Sequence, residues 1–69
     1  MIGNELQRAR LDAGMTQEEL ALKAQIDRSY VSLLENNKKS PTIEMLFRIC
    51  EVLGVKVSTL VARVERNSN

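Results

Sequence analysis

Apolar residues recur at helical spacing from one end of the chain to the other, and no alternation of apolar and polar positions lasts long enough to make a strand. Ile2, Leu6, Ala9 and Ala13 share one side of a first helix that stops at Gly14, a natural left-handed terminator. Thr16 followed three residues later by Glu19 is a capping box, and Met15 and Leu20 stand at the two positions of a hydrophobic staple. A second helix therefore starts there, with Leu20, Ala21 and Ala24 as its inner face. Ile26, Asp27 and Val31 repeat the device for a third helix, with Asp27 as the expected cap. Only Gln25 and Ile26 separate these two helices, so they meet at a steep angle. The turn needs a left-handed residue near Gln25, at a cost of about 1 kcal/mol. Asn37 suits the same conformation after the third helix. A fourth helix follows Ser40-Pro41-Thr42, capped by Thr42 and packing Leu46, Ile49, Cys50 and Leu53 before Gly54. A fifth begins near Ser58 and carries Leu60, Val61 and Val64. The pattern predicts an all-α, compact five-helix domain over residues 1–66 and a frayed polar tail over 67–69.

The third helix raises the functional question. Val31 and Leu34 define its buried side, which turns Ser29, Leu33 and Asn36 outward, with Ser32 beside them and Arg28 at the N-terminal flank. A core helix would turn its Leu inward, and a solvated helix would more often carry a long polar side chain at position 33. A short outer face of small residues with one Arg near its start suits a DNA major groove. There Arg pairs with guanine O6 and N7, Ser adapts to either partner, and an apolar side chain meets a thymine methyl.

Charge refines this picture only locally. The net charge of the 69 residues is +1, which argues against a simple polycationic binder, but the balance changes from −2 over residues 1–22 to +2 over residues 23–39. An enzyme is the weakest reading. The chain has no His and one Cys, so it offers no metal cluster, no cofactor site and no nucleophile with a base partner. Glu18 and Glu19 are neighbours only in sequence, since adjacent helical residues point about 100° apart. A single thiol, a charged start (Met1 to Arg10) where a signal peptide would be apolar, and no long apolar run predict a cytoplasmic protein without a membrane anchor.

The elements RLDAGMTQEELA, KAQID, RSYVSLLE and SPTIEMLFRICEVLGV, together spanning nearly the whole chain from Arg8 to about Leu60, resemble the Cro/repressor-type helix-turn-helix domain, also called lambda-repressor-like or XRE-type. The stretch IDRSYVS is especially similar to the small controller proteins of restriction–modification systems. Gln25 and Asn37 stand where the family usually has Gly, which leaves the angle between the second and third helices open. The resemblance implies a nucleoid-associated regulator of double-stranded DNA, activator or repressor, acting as a homodimer on a palindromic operator. It would contact RNA polymerase if it activates.

It also assigns roles. Arg28 and Ser29 would read bases, with Ser32 and Leu33 supporting. Gln17, at the first position of the second helix, would clamp a phosphate, where free N–H groups and the helix dipole favour an anion. Asn36, Lys38, Lys39 and Thr42 would continue the backbone contacts. Tyr30 reads equally well as packing or as a hydroxyl reaching the DNA. Arg10 and Glu35 would form a structural ion pair between the first helix and the end of the third. The apolar residues of the chain's last third exceed what a short terminal helix needs, which predicts a dimer interface of Leu53, Val57, Leu60, Val61 and Val64. Two other readings share the fold: an antitoxin whose main partner is a toxin protein, and the N-terminal domain of a longer phage repressor.

Overall fold

The computed structural model describes residues 1–67. It has five helices: α1 (Ile2–Asp12), α2 (Gln17–Ala24), α3 (Arg28–Glu35), α4 (Ile43–Leu53) and α5 (Val57–Arg66). Among the described residues there is no strand. α3 packs on α1 and α2, α4 covers α2, and α5 returns to lie on α1 and α4. Every helix contributes to one core, whose largest fully buried side chains are Leu6, Leu20, Val31, Leu34, Ile49, Cys50 and Leu60. Cys50 is part of this packing, and burial pushes its thiol above its ordinary pKa, which keeps it in the unreactive protonated form.

The chain turns four corners with one device. After each of α1 to α4 a residue adopts the left-handed conformation: Gly14 (φ +71), Gln25 (φ 59), Asn37 (φ 58) and Gly54 (φ +71). The next N–H then reaches back five residues: Met15 to the Arg10 carbonyl (3.1 Å), Ile26 to Ala21 (2.9 Å), Lys38 to Leu33 (2.9 Å) and Val55 to Cys50 (3.0 Å). These bonds satisfy carbonyls that a helix end would leave without partners. Gln25 and Asn37 each accept a strain of about 1 kcal/mol that Gly would avoid. Asn37 offsets its share with two side-chain bonds: its Oδ1 accepts from the Gly3 N–H (2.9 Å), and its Nδ2 donates to Asn4 Oδ1 (2.7 Å).

The helix starts are less uniform. The capping box of α2 is complete, with the Thr16 hydroxyl accepting from the Glu19 N–H at 3.1 Å and the Glu19 carboxylate accepting from the Thr16 N–H at 2.9 Å. Thr42 caps α4 by accepting from the Met45 N–H at 3.1 Å. Asp27 departs from expectation. It occupies the cap position of α3 with extended backbone angles, but its side chain makes no capping bond. Its carbonyl closes the first turn instead, accepting from Tyr30 and Val31.

One further expectation needs correction. Ala13 lies beyond the end of α1 and is exposed, so the inner face of α1 is Leu6 and Ala9 with the half-buried Ile2. α5 begins at Val57, in keeping with the expected start near Ser58. α5 runs through Arg66, and the Asn67 amide donates to Glu5 Oε2 at 2.9 Å. Residues 68 and 69 of the expected tail lie outside the described residues.

Candidate nucleic-acid interface

Val31, Leu34 and Glu35 are the residues of α3 that turn into the protein, which leaves one side of this helix facing out. Arg28, Ser29, Leu33 and Asn36 are exposed on that side, and Ser32 is half-buried beside them. Leu33 keeps 39% of its surface open, although α3 packs against a core that could have received it. Arg28 occupies the first position of α3, the positive end of its dipole, with no acidic residue in the first turn. That placement costs a helix about 0.3–1 kcal/mol, so local stability does not account for an Arg there. A negatively charged partner in front of the helix would reverse the sign.

The flanks of α3 are basic. Lys38 and Lys39 are exposed on the loop that leaves it, and the Lys39 ammonium stands 6.0 Å from the centre of the half-buried Tyr30 ring. Tyr30 thus packs against the fold and offers its ring to a lysine. The Asn36 amide donates to the Ser32 carbonyl at 2.9 Å and to its hydroxyl at 3.3 Å, which holds both polar groups against the helix. The Thr42 hydroxyl accepts from Met45 and so retains its own O–H to donate. Arg28, Ser29, Ser32, Leu33 and Asn36 therefore lie together on one helix, with Tyr30, Lys38 and Lys39 at its edge.

Gln17 is placed differently from a free helix-start residue. It is half-buried, and its Nε2 donates to Glu35 Oε1 at 3.0 Å. The same carboxylate takes two bonds from Arg10, Nε to Oε2 at 2.7 Å and Nη2 to Oε1 at 3.0 Å. Arg10 Nη1 completes the set by donating to the Met15 carbonyl at 2.8 Å. The hydrogen bond and charge of Glu35 hold the guanidinium above its ordinary pKa, and both partners are buried. No sequence signal pointed to the link between Gln17 and Glu35, which joins residues 18 positions apart.

A second surface is apolar. Phe47, 59% exposed on the outer side of α4, faces Val55, Val57 and the 37% exposed Val61 across an open groove rimmed by Arg48 and Glu51. The expected dimer residues divide here. Val57 and Val61 line the groove, whereas Leu53 and Val64 are half-buried outside it. Leu60 is completely buried in the core, so it has no surface to offer a partner, and that expectation is corrected. The apolar stripe Leu46, Ile49 and Cys50 marks only the inner face of α4 and leaves Phe47 unmarked. Its spacing of four from the exposed Ile43 was the available signal.

Among the described residues no three His, Cys, Asp or Glu side chains come together as a metal site, and no helix is long and apolar enough to cross a membrane.

Comparison with known proteins gives a consistent set of relatives. A family model described as helix-turn-helix matches residues 6–60. The HTH-type transcriptional regulator SinR of Bacillus subtilis is 39% identical over 62 residues, a match covering 88% of this chain and 56% of SinR. The crystal structure of SinR in complex with DNA matches with a TM-score of 0.83, covering 88% of this chain and 98% of the solved one. Control protein C.MunI of a Mycoplasma species is 32% identical over 65 residues, covering 93% of this chain and 88% of its own. The solved restriction–modification controller protein C.Esp1396I is 34% identical with a TM-score of 0.84, covering 94% of this chain and 86% of that one.

Proposed function

The chain belongs to the helix-turn-helix family, and from that premise we propose that it is a sequence-specific transcriptional regulator of double-stranded DNA that seats α3 in the major groove. The observation that carries the proposal is the outer face of α3. Arg28, Ser29 and Leu33 are exposed on it, and Arg28 stands where the helix dipole disfavours it. In the groove Arg28 and Ser29 read base edges, supported by Ser32 and Leu33. Lys38, Lys39, Asn36, Tyr30, Thr42 and Gln17 engage backbone phosphates, which position the protein without reading sequence.

The operator is palindromic and the protein binds it as a homodimer. The molecule measures 33 × 23 × 21 Å, so one copy spans no more than one half-site. Two half-sites about 34 Å apart require two copies. The groove between α4 and α5 supplies an apolar surface for that contact. The similarity to C.MunI and C.Esp1396I supports a controller-type role, in which RNA polymerase is a partner if the protein activates. A second reading, the DNA-binding domain of a longer repressor, is favoured by the match covering only 56% of SinR.

Selection from a random duplex library, with Arg28→Ala run in parallel, tests the proposal. The expected result is a palindrome with half-sites about ten base pairs apart. In the variant one guanine preference weakens by about 1–3 kcal/mol while the rest of the motif persists. Enrichment of no motif, or a motif unchanged by Arg28→Ala, would refute it.

A further inference from the structure

The bonds beneath the start of α2 form a continuous chain. It runs from the Met15 carbonyl through Arg10 and Glu35 to the Gln17 amide, and so ties α1, the turn before α2, α3 and α2 together. We propose that Glu35 is a positioning residue for Gln17, holding its amide ready for a backbone phosphate before DNA arrives. The proposal rests on the reading of Gln17 as a phosphate contact.

The chemistry of the amide supports it. A primary amide nitrogen carries two hydrogens. Glu35 takes one of them, and the other has no acceptor among the described residues. With one hydrogen committed inward, the rotamer freedom that a free glutamine would lose on binding is already lost in the unbound protein. Gln17 is half-buried by this arrangement, whereas Gln7 and Gln25 are exposed.

Charge makes the arrangement workable. A lone carboxylate below a phosphate-binding amide would repel the phosphate. Glu35 is instead neutralised by a two-pronged bond to Arg10, and only 2% of its side-chain surface is accessible. The ligand meets a neutral donor rather than an anion. The amide is thereby tied to α3, so the phosphate contact at α2 and the base-reading face of α3 keep one register.

The test separates positioning from plain structural support. Replacing Arg10→Met and Glu35→Leu together removes the tether and leaves no stranded charge, a change that buried ion pairs often tolerate. Binding to a duplex carrying the selected palindrome is measured for four proteins: unmutated, Gln17→Ala, the double replacement, and the triple. A thermal melt of each accompanies it. Loss of Gln17 is expected to weaken binding about tenfold, the size of one hydrogen bond to a charged group. The double replacement should melt cooperatively and lose a similar factor, and adding Gln17→Ala to it should cost nothing more. A folded double replacement with unchanged affinity overturns the proposal. So does Gln17→Ala costing tenfold in both backgrounds. If the double replacement does not fold, relaxation of the side-chain amide in the unmutated protein decides. A Gln17 amide as rigid as the backbone, beside mobile Gln7 and Gln25 amides, supports the tether, and equal mobility of all three refutes it. Failure of the DNA reading would show separately, as an unmutated protein that binds no duplex, and would overturn the phosphate role with it.

Discussion

Gly3 to Ala is a substitution for which helix propensity and packing predict opposite signs. Gly3 lies inside α1, where Ala is favoured over Gly by about 0.8–1 kcal/mol at an ordinary helix position. Propensity alone therefore predicts a more stable protein. Packing says otherwise, because α1 crosses the end of α3 at Gly3. A methyl group there would stand 2.6 Å from Asn37 Oδ1, 2.8 Å from the Glu35 carbonyl oxygen, and closer still to the Leu34 carbonyl oxygen. Two of these three neighbours are backbone, so they cannot swing aside as a flexible side chain would. Forcing a methyl into a packed contact costs about 1–3 kcal/mol. Moving α1 outward to make room gives up the Gly3 N–H to Asn37 bond, worth about 0.5–1.5 kcal/mol. Packing outweighs propensity, and the expected net loss is about 1–2 kcal/mol.

For a domain of this size that loss lowers the melting temperature by roughly 4–8 °C per kcal/mol. Urea unfolding followed by circular dichroism measures it directly, with a shifted midpoint and an unchanged slope. Adding Asn37→Gly should rescue only part of the loss, since it removes one of the three crowding atoms and leaves both carbonyls. A Gly3→Ala protein as stable as the unmutated one would show that α1 and α3 do not approach so closely, and the reasoning would fail.

Three other outcomes are expected. Glu35→Ala strands Arg10 and should destabilise by about 3 kcal/mol, the lower end for buried pairs because Arg10 keeps the Met15 carbonyl; unfolding in urea at an unchanged midpoint would contradict it. The two bonds from Thr16 hold the Glu19 carboxyl below its ordinary pKa of 4.5. Its stabilisation is therefore complete above 4.5 and is lost as pH falls through the lower folded value, so the melting-temperature advantage over Glu19→Gln should shrink only on the acid side. Phe47→Lys places a charge in the apolar groove and should move the protein to monomer in sedimentation at concentrations where the unmutated chain is a dimer; an unchanged distribution would exclude this groove as the interface.

Much of the fold is legible because its signals are local. Thr16 and Glu19, or Thr42 and Met45, find each other within one helical turn, and a left-handed Gln25 or Asn37 follows from how little chain remains for the corner. The resemblance supplied the pairing of Arg10 with Glu35, which local spacing could not. Where the structure departs from the sequence pattern, the competing physics is also local. Asp27 has the right residue type and backbone angles for a cap, but its solvated carboxylate makes no bond that closes the turn. Ala13 continues the apolar spacing only on paper, since the chain has already left the helix for the corner at Gly14.

Five helices, their order and the outward face of α3 follow from the sequence alone, because period, caps and corner residues act over a few positions. Which residues became surface and which became core in the last third of the chain depends instead on how the helices pack. Leu60 and Val61 are neighbours of similar hydrophobicity, and burial of one with exposure of the other depends on how α5 lies against α1 and α4. The same holds for Gln17 and Glu35. Nothing in either residue type foretells their bond, which exists because α1, α2 and α3 converge on one buried guanidinium whose charge had to be matched.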